Sequence, residues 1–145
     1  MAKEQQKPGY RFFDHTGDFG ADLEGRDPLE LTAMLARAYL DLLTGAPETV
    51  EEREALEVEV RGLDLPDLLV ALGNELVFLF ETEKLLVARF EPTALEEGRL
   101  AGIAHGERFD PARHPIARPV KAVTHHQAAV EKLGRRWRAR IIFDL

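Results

Sequence analysis

Apolar residues recur along this chain with two periods, and the two periods separate its strands from its helices. Phe19, Ala21 and Leu23 alternate with Asp18, Gly20 and Asp22, which predicts a half-buried strand ending at Gly25. Leu56, Val58 and Val60 alternate with Glu57, Glu59 and Arg61, a second strand with one wet face. Between them, Leu31, Leu35, Ala38 and Leu42 fall on one helical face. Asp27-Pro28-Leu29-Glu30 opens that helix: Asp27 accepts a backbone N–H, Pro28 sits where no donor is needed, and Glu30 is placed to complete a capping box. Thr44-Gly45 ends it. Asp64 and Pro66 open a second helix with a broad apolar stripe of Leu68, Leu69, Leu72, Leu76, Leu79 and Phe80. Residues 85–91 and 100–108 read as strands, and residues 105–119, with Pro111, Pro115 and Pro119, as a long loop overlapping the end of the second. Residues 120–133 and 137–145 form a hairpin about Gly134-Arg135. On its return strand Trp137, Ala139, Ile141 and Phe143 share one face, and Arg138, Arg140, Ile142 and Asp144 the other.

The order strand, helix, strand, helix, four strands predicts the α+β class: a mostly antiparallel sheet packed with two main helices and closed by a C-terminal β-hairpin, not a doubly wound fold. A chain of 145 residues has room for one domain. It is expected over residues 10–145, with the polar residues 1–9 as a flexible N-terminal tail. Those nine residues lack the apolar core of a signal peptide, and no run approaches the roughly 18 apolar residues of a membrane span. A cytoplasmic protein without a membrane partner is the expectation.

Absent residue types narrow the chemistry. With no cysteine there is no disulfide, thiolate-zinc site, iron–sulfur cluster or Cys nucleophile. With no serine there is no Ser–His–Asp hydrolase. A net charge of −7 argues against nonspecific nucleic-acid binding through bulk charge. That charge is unevenly spread. Residues 118–145 carry seven bases against two acids, net +5, leaving −12 on the rest. The basic end is either a solvated hairpin beside an acidic body or a docking surface for an acidic partner or a phosphate.

Two segments concentrate groups able to do chemistry. Asp14-His15-Thr16-Gly17-Asp18 places a His, a Thr and two carboxylates just before a strand. It reads as a turn capped by Asp and Thr, or as part of a site. Asp144 lies on the polar parity of the last strand, and Leu145, if it is the natural end, adds a carboxylate. If the first and last strands pair, Asp18, Asp144 and that terminus converge. Two carboxylates about 4 Å apart repel by roughly 4 kcal/mol at an effective dielectric of about 20, so a proton, a base or a hard cation must offset them. All-oxygen ligands suit Ca²⁺ or Mg²⁺, while Arg138 or Arg140 would instead make a plain salt bridge. In Val120-Lys121-Ala122-Val123-Thr124-His125-His126 the adjacent histidines point to opposite faces and cannot share one metal. His126 is expected to be semi-buried, and His125, on the face of Lys121, is placed to meet a phosphate or partner. Gly106-Glu107 is a weak signal on its own. GxGxxG, HExxH, EF-hand and zinc-ligand patterns are absent.

Taken together these blocks resemble the archease family. Phe13-Asp14-His15-Thr16-Gly17-Asp18 is similar to its opening, which usually reads His-Thr-Ala-Asp. Leu68-Leu69 through Asn74-Glu75-Leu76-Val77-Phe78-Leu79 is similar to its central helix. Gly106-Glu107 matches a Gly-Glu after an extended strand. Val120 through His126 is similar to Val-Lys-Ala-Val-Thr-Tyr-His, and Ile142-Phe143-Asp144-Leu145 to a terminal Asp-Ile. Gly17 replaces an Ala, Leu72-Gly73 stands where Trp-Leu is usual, and His125 replaces a Tyr. Gly73 costs about 1 kcal/mol relative to Ala inside a helix, so a kink or close packing is expected there.

The resemblance implies a cofactor protein rather than an enzyme, one that activates the RtcB-type RNA ligase of tRNA splicing and RNA repair. It would promote GTP-dependent guanylylation of the ligase and its multiple turnover. It also implies a divalent cation, calcium first with Mg²⁺ or Mn²⁺ as alternatives, held by Asp18, Asp144 and Leu145. His15, Lys121 and His125 are the expected partner or phosphate contacts, with no sequence-specific nucleic-acid binding. The alternatives are a metal-dependent hydrolase or nucleotidyl enzyme using Asp18, His15 and Asp144, and a chaperone-like binding module for nucleic-acid-processing enzymes.

Overall fold

The computed structural model describes residues 5–7, 9–15 and 17–145, and both expected helices are present in it. The first, α1 (Pro28–Thr44), starts where the Asp27 carboxylate accepts the Glu30 N–H at 2.9 Å. It stops at Gly45, whose φ of 69° is the left-handed conformation a side chain resists. Glu30 departs from the expected capping box. Its carboxylate takes the Arg26 N–H at 2.8 Å and the Arg26 guanidinium at 2.9 Å, one residue earlier than Asp27. The second helix, α2 (Leu65–Glu83), is capped in the same way by Asp64, which accepts the Asp67 N–H at 2.9 Å.

All strand pairs among the described residues are antiparallel, and they make two sheets rather than one. The larger contains β1 (Gln5–Lys7), β2 (Tyr10–His15), β3 (Asp18–Gly25), β7 (Ala122–Leu133) and β8 (Arg136–Asp144), in the order β1-β2-β3-β8-β7. The smaller contains β4 (Glu54–Arg61), β5 (Leu85–Glu96) and β6 (Arg99–Arg108), in the order β4-β6-β5. Within the segment expected as a tail, Gln5–Lys7 pairs with β2. Residues 10–15, without an expected strand, form β2 because Tyr10 and Phe12 point into the core. Phe13 hides that alternation, being an apolar residue on the outward face that lies over Gly20. β5 runs past Pro92 because it is an edge strand with irregular register there, where a missing N–H is tolerated.

Each helix touches both sheets, so α1 is buried on nearly every side. Ala21, Leu23, Ala139, Ile141 and Phe143 meet the helices from the large sheet, as their parity predicts. The opposite face of that sheet carries Arg11, Asp22, Arg138 and Arg140. No helix among the described residues is long and apolar enough to cross a membrane.

Candidate functional site

Pairing of β3 with β8 joins the two segments that the sequence marks for chemistry. The register runs Gly20↔Ile142 and Phe19↔Phe143, and one further step sets Asp18 beside Asp144, each the terminal residue of its strand. On either side, β2 sets His15 opposite Asp18, and β7 sets Ala122 opposite Asp144. The Lys121 N–H donates to the Asp144 carbonyl at 2.8 Å. One end of the large sheet therefore gathers Asp18, Asp144, Leu145, the main chain of Lys121 and the backbone of His15. The His15 side chain and Thr16 lie outside the described residues.

The arginines on this face are committed elsewhere. Arg140 grips Asp22 through Nε at 2.9 Å and Nη2 at 3.0 Å, and Arg11 reaches the same carboxylate at 2.8 Å. Burial acts to raise the Asp22 carboxyl, but these hydrogen bonds outweigh it and hold the group below its ordinary range. Arg138 lies 3.7 Å from Glu24. The Arg140 guanidinium also stacks on Phe13 at 4.3 Å. Neither Asp18 nor Asp144 forms an ion pair with a described basic side chain, so the plain salt bridge from Arg138 or Arg140 is not what the fold makes.

Sequence reasoning passed over Thr124. It sits opposite Ile142, on the same outward face and one alternate position from the Asp144 row. Its Oγ1 is buried with no hydrogen-bond partner among the described residues. Its place in the Val-Lys-Ala-Val-Thr block was the available signal. Among the described residues the donors at this end are oxygens: two carboxylates, the Leu145 main chain and a hydroxyl. That set fits a hard cation better than zinc. No cluster of three or more His, Cys, Asp or Glu side chains able to hold a metal occurs among the described residues, so a cation here would depend on main-chain oxygen and water as well.

The segment delivering Lys121 is held by a buried network around Glu107. Gly106 lets the strand through, since a Cβ there would collide with the Leu86 carbonyl. Glu107, buried, meets His114 Nε2 at 2.6 Å, Arg113 at 3.0 Å, Arg53 at 3.1 Å and the Glu51 N–H at 3.2 Å. His114 Nδ1 accepts the Asp110 N–H at 2.9 Å, so Nε2 carries the proton and donates to Glu107. Burial alone would raise the Glu107 carboxyl, but the donors from Arg113, Glu51 and His114 together take it down to about 2. Further on, the Ala117 and Arg118 N–H groups both donate to the Leu43 carbonyl, and the Arg118 guanidinium lies 4.9 Å from the Phe19 ring, one residue from Asp18.

Lys121 is exposed. His125 is not gathered with the carboxylates. Its Nε2 lies 2.7 Å from Asp67 Oδ1 on the first turn of α2. His126 is exposed rather than semi-buried, because the β7 register shifts between Thr124 and Ala129, with Gln127 at a φ of 57°, and simple alternation ends there.

Residues 10–145 match the model of a family described as "Archease protein family (MTH1598/TM1083)". The chain is 38% identical over 135 residues to the protein archease of Methanopyrus kandleri, covering 91% of this chain and 96% of that one. Its fold is similar to the solution structure of protein 1598 of Methanobacterium thermoautotrophicum, with a TM-score of 0.78, 29% identity, and coverage of 96% of this chain and 100% of that one. It also resembles in fold the crystal structure of an archease from Thermotoga maritima, described as a possible chaperone, with a TM-score of 0.60 at 19% identity over 97% and 98% of the two chains.

Proposed function

The chain belongs to the archease family, and from that premise we propose that it activates an RtcB-type RNA ligase, promoting guanylylation of the ligase by GTP and its multiple turnover, rather than catalysing a reaction itself. The observation that carries the reading is the carboxylate pair Asp18 and Asp144 at adjoining strand ends, without an ion pair to any described basic side chain, on a face where Asp22 has two arginines. Both carboxylates, with the Leu145 main-chain oxygen, would hold a divalent cation, Ca²⁺ first among the candidates. When bound, the cation would supply positive charge next to phosphate oxygens. The chain's own residues support this place. One step beyond the Phe19–Phe143 pair, the β3–β8 register brings the Asp18 and Asp144 positions together, the Lys121 N–H holds the Asp144 carbonyl, and the exposed Lys121 ammonium is free to approach a phosphate.

The test is single-turnover guanylylation of the ligase with GTP, with and without this protein and its Asp18→Ala and Asp144→Ala variants. The wild-type chain accelerates the step, and each variant loses at least tenfold of that acceleration. Full stimulation by both variants overturns the reading. Turnover of nucleotides or RNA ends by this protein alone would favour an enzyme instead.

A further inference from the structure

We propose that Arg118 and Lys121 are a phosphate-binding pair at the end of the large sheet, on its helix side, and that they take the phosphate chain of a nucleoside triphosphate. The nature of the ligand rests on the ligase reading; the place does not. The Arg118 guanidinium is the outer layer of an aromatic column rooted in the core. The buried Phe12 ring lies 5.6 Å from the Phe19 ring, and Phe19 lies 4.9 Å from the guanidinium. The Arg118 N–H is tied to the Leu43 carbonyl, and Pro119 restricts the backbone that follows, so the side chain starts and ends at fixed points. Stacking holds a guanidinium by its flat face and leaves its in-plane N–H donors unused. Arg11, Arg113 and Arg140 all spend theirs on carboxylates. Arg118 has no carboxylate partner and no side-chain hydrogen bond among the described residues, the chain end included, and the exposed Lys121 ammonium has none either.

Strand parity brings the two cations to one side. Phe19 shares the inward face of Ala21 and Leu23. Ala122 pairs with Asp144 on the outward face, so Lys121, one residue earlier, falls on the parity of the buried Val123. β3 and β7 flank β8, so Arg118 over Phe19 and Lys121 at the start of β7 stand to either side of the end of β8. Asp18 and Asp144 have the opposite parity, which keeps Arg118 from closing on them although Phe19 is the next residue to Asp18. One guanidinium fork satisfies a carboxylate. Two uncommitted cations with a strand end between them suit an anion with more charge and more oxygens, and a phosphate chain is long enough to meet both. Arg135, at the hairpin turn, also lacks an ion partner among the described residues, but no described ring lies beneath it.

The test titrates inorganic triphosphate into the full chain in metal-free buffer with 0.15 M salt, read by NMR, so that no cation at the carboxylates contributes. Saturable shifts fall on the Arg118 Nε–H and on the amides of Phe19, residues 117–121 and Leu145. Arg118→Gln weakens binding at least tenfold. Arg118→Lys, which keeps the charge and loses the fork, weakens it at least fivefold. Arg135→Gln removes the same charge from the hairpin turn and changes the affinity less than twofold. A wild-type response that does not saturate, equal losses in Arg118→Gln and Arg135→Gln, or full affinity in Arg118→Lys would each overturn the proposal. So would a lowered thermal midpoint in Arg118→Gln with unchanged affinity, which would leave Arg118 a support for the end of α1. Should a variant fail to fold, the shifts on the wild-type chain still decide. No ligase is present, so triphosphate binding without ligase stimulation sinks the ligase reading alone, and stimulation without binding sinks this site alone.

Discussion

The carboxamide of Asn74 brackets the backbone of Val123: Nδ2 donates to the Val123 carbonyl at 2.9 Å, and Oδ1 accepts the Val123 N–H at 2.8 Å. A helix side chain thus takes the place of a neighbouring strand along the free edge of β7. This bracket fixes β7 two residues from Lys121, and so fixes the end of the sheet where Asp144 sits. Asn74→Ala leaves two main-chain groups without partners and is expected to cost about 2 kcal/mol. Asn74→Asp keeps only the acceptor and falls between. Thermal denaturation checks the order wild type, Asp, Ala, and hydrogen exchange at the Val123 amide should speed up most in the Ala variant. An unchanged exchange rate there would refute the role.

Gly73, next to it, faces the Val123 side chain. A Cβ on Gly73 would lie 2.6 Å from Val123 Cγ2 and 3.1 Å from its Cβ, so close packing rather than a kink explains the glycine. Gly73→Ala gains about 1 kcal/mol of helix propensity. It loses about 1–3 kcal/mol to overpacking against a stiff β-branched side chain, so the net effect is destabilising. In a Val123→Ala background the 2.6 Å contact is gone and only the 3.1 Å contact with the Cβ remains, so the same substitution costs less than in the wild-type chain. A double-mutant cycle by urea denaturation should give a coupling of at least 1 kcal/mol.

Glu107 makes stability depend on acid. Its carboxyl stands at about 2 in the fold against an ordinary 4.5, with burial opposed by Arg113, the Glu51 N–H and His114, and with Arg53 also in contact. A carboxyl lowered by folding stabilises above its unfolded value, and that contribution is lost as pH falls from about 4.5 through about 2. The loss is on the order of 2 kcal/mol, allowing for solvent at the part-exposed Arg53 and Arg113. Glu107→Gln should lower stability at pH 7 and flatten the curve between pH 5 and 2. A variant curve parallel to wild type over that window would show that the charge is not what matters.

The two helices were legible because their signals are local: Asp27-Pro28 and Asp64 through Pro66 cap within three residues, and the apolar spacing continues from there. The inward faces of β3 and β8 were legible by parity. The meeting of Asp18 and Asp144 was only a conditional inference, because strand order is set by packing of segments more than a hundred residues apart. Ion-pair partners were out of reach for the same reason. Arg140 reaches Asp22 only because β3 and β8 pair in one register, and a one-residue slip would turn either side chain to the other face. β2 and the β7 bulge were missed where alternation breaks, at Phe13 and Gln127.

Asp144 allows a test in which one substitution changes sign with conditions. In EDTA, Asp144→Asn removes one of two adjoining carboxylates that no described base neutralises. At these half-exposed positions the relief is about 1 kcal/mol, so the variant should melt a few degrees above wild type. With CaCl₂ at 100 times the dissociation constant, wild type gains about 2.7 kcal/mol by mass action, and the variant, lacking a ligand, gains little. The order of the two melting curves therefore reverses between the buffers. Asp22→Asn is the control. It leaves Arg11 and Arg140 facing a neutral amide, so it destabilises in both buffers and keeps the calcium response. Differential scanning calorimetry with EDTA, Ca²⁺, Mg²⁺ and Mn²⁺ reads all three proteins. A wild-type curve that ignores every cation, or an Asp144→Asn variant that responds as fully as wild type, would remove the cation from this end of the sheet.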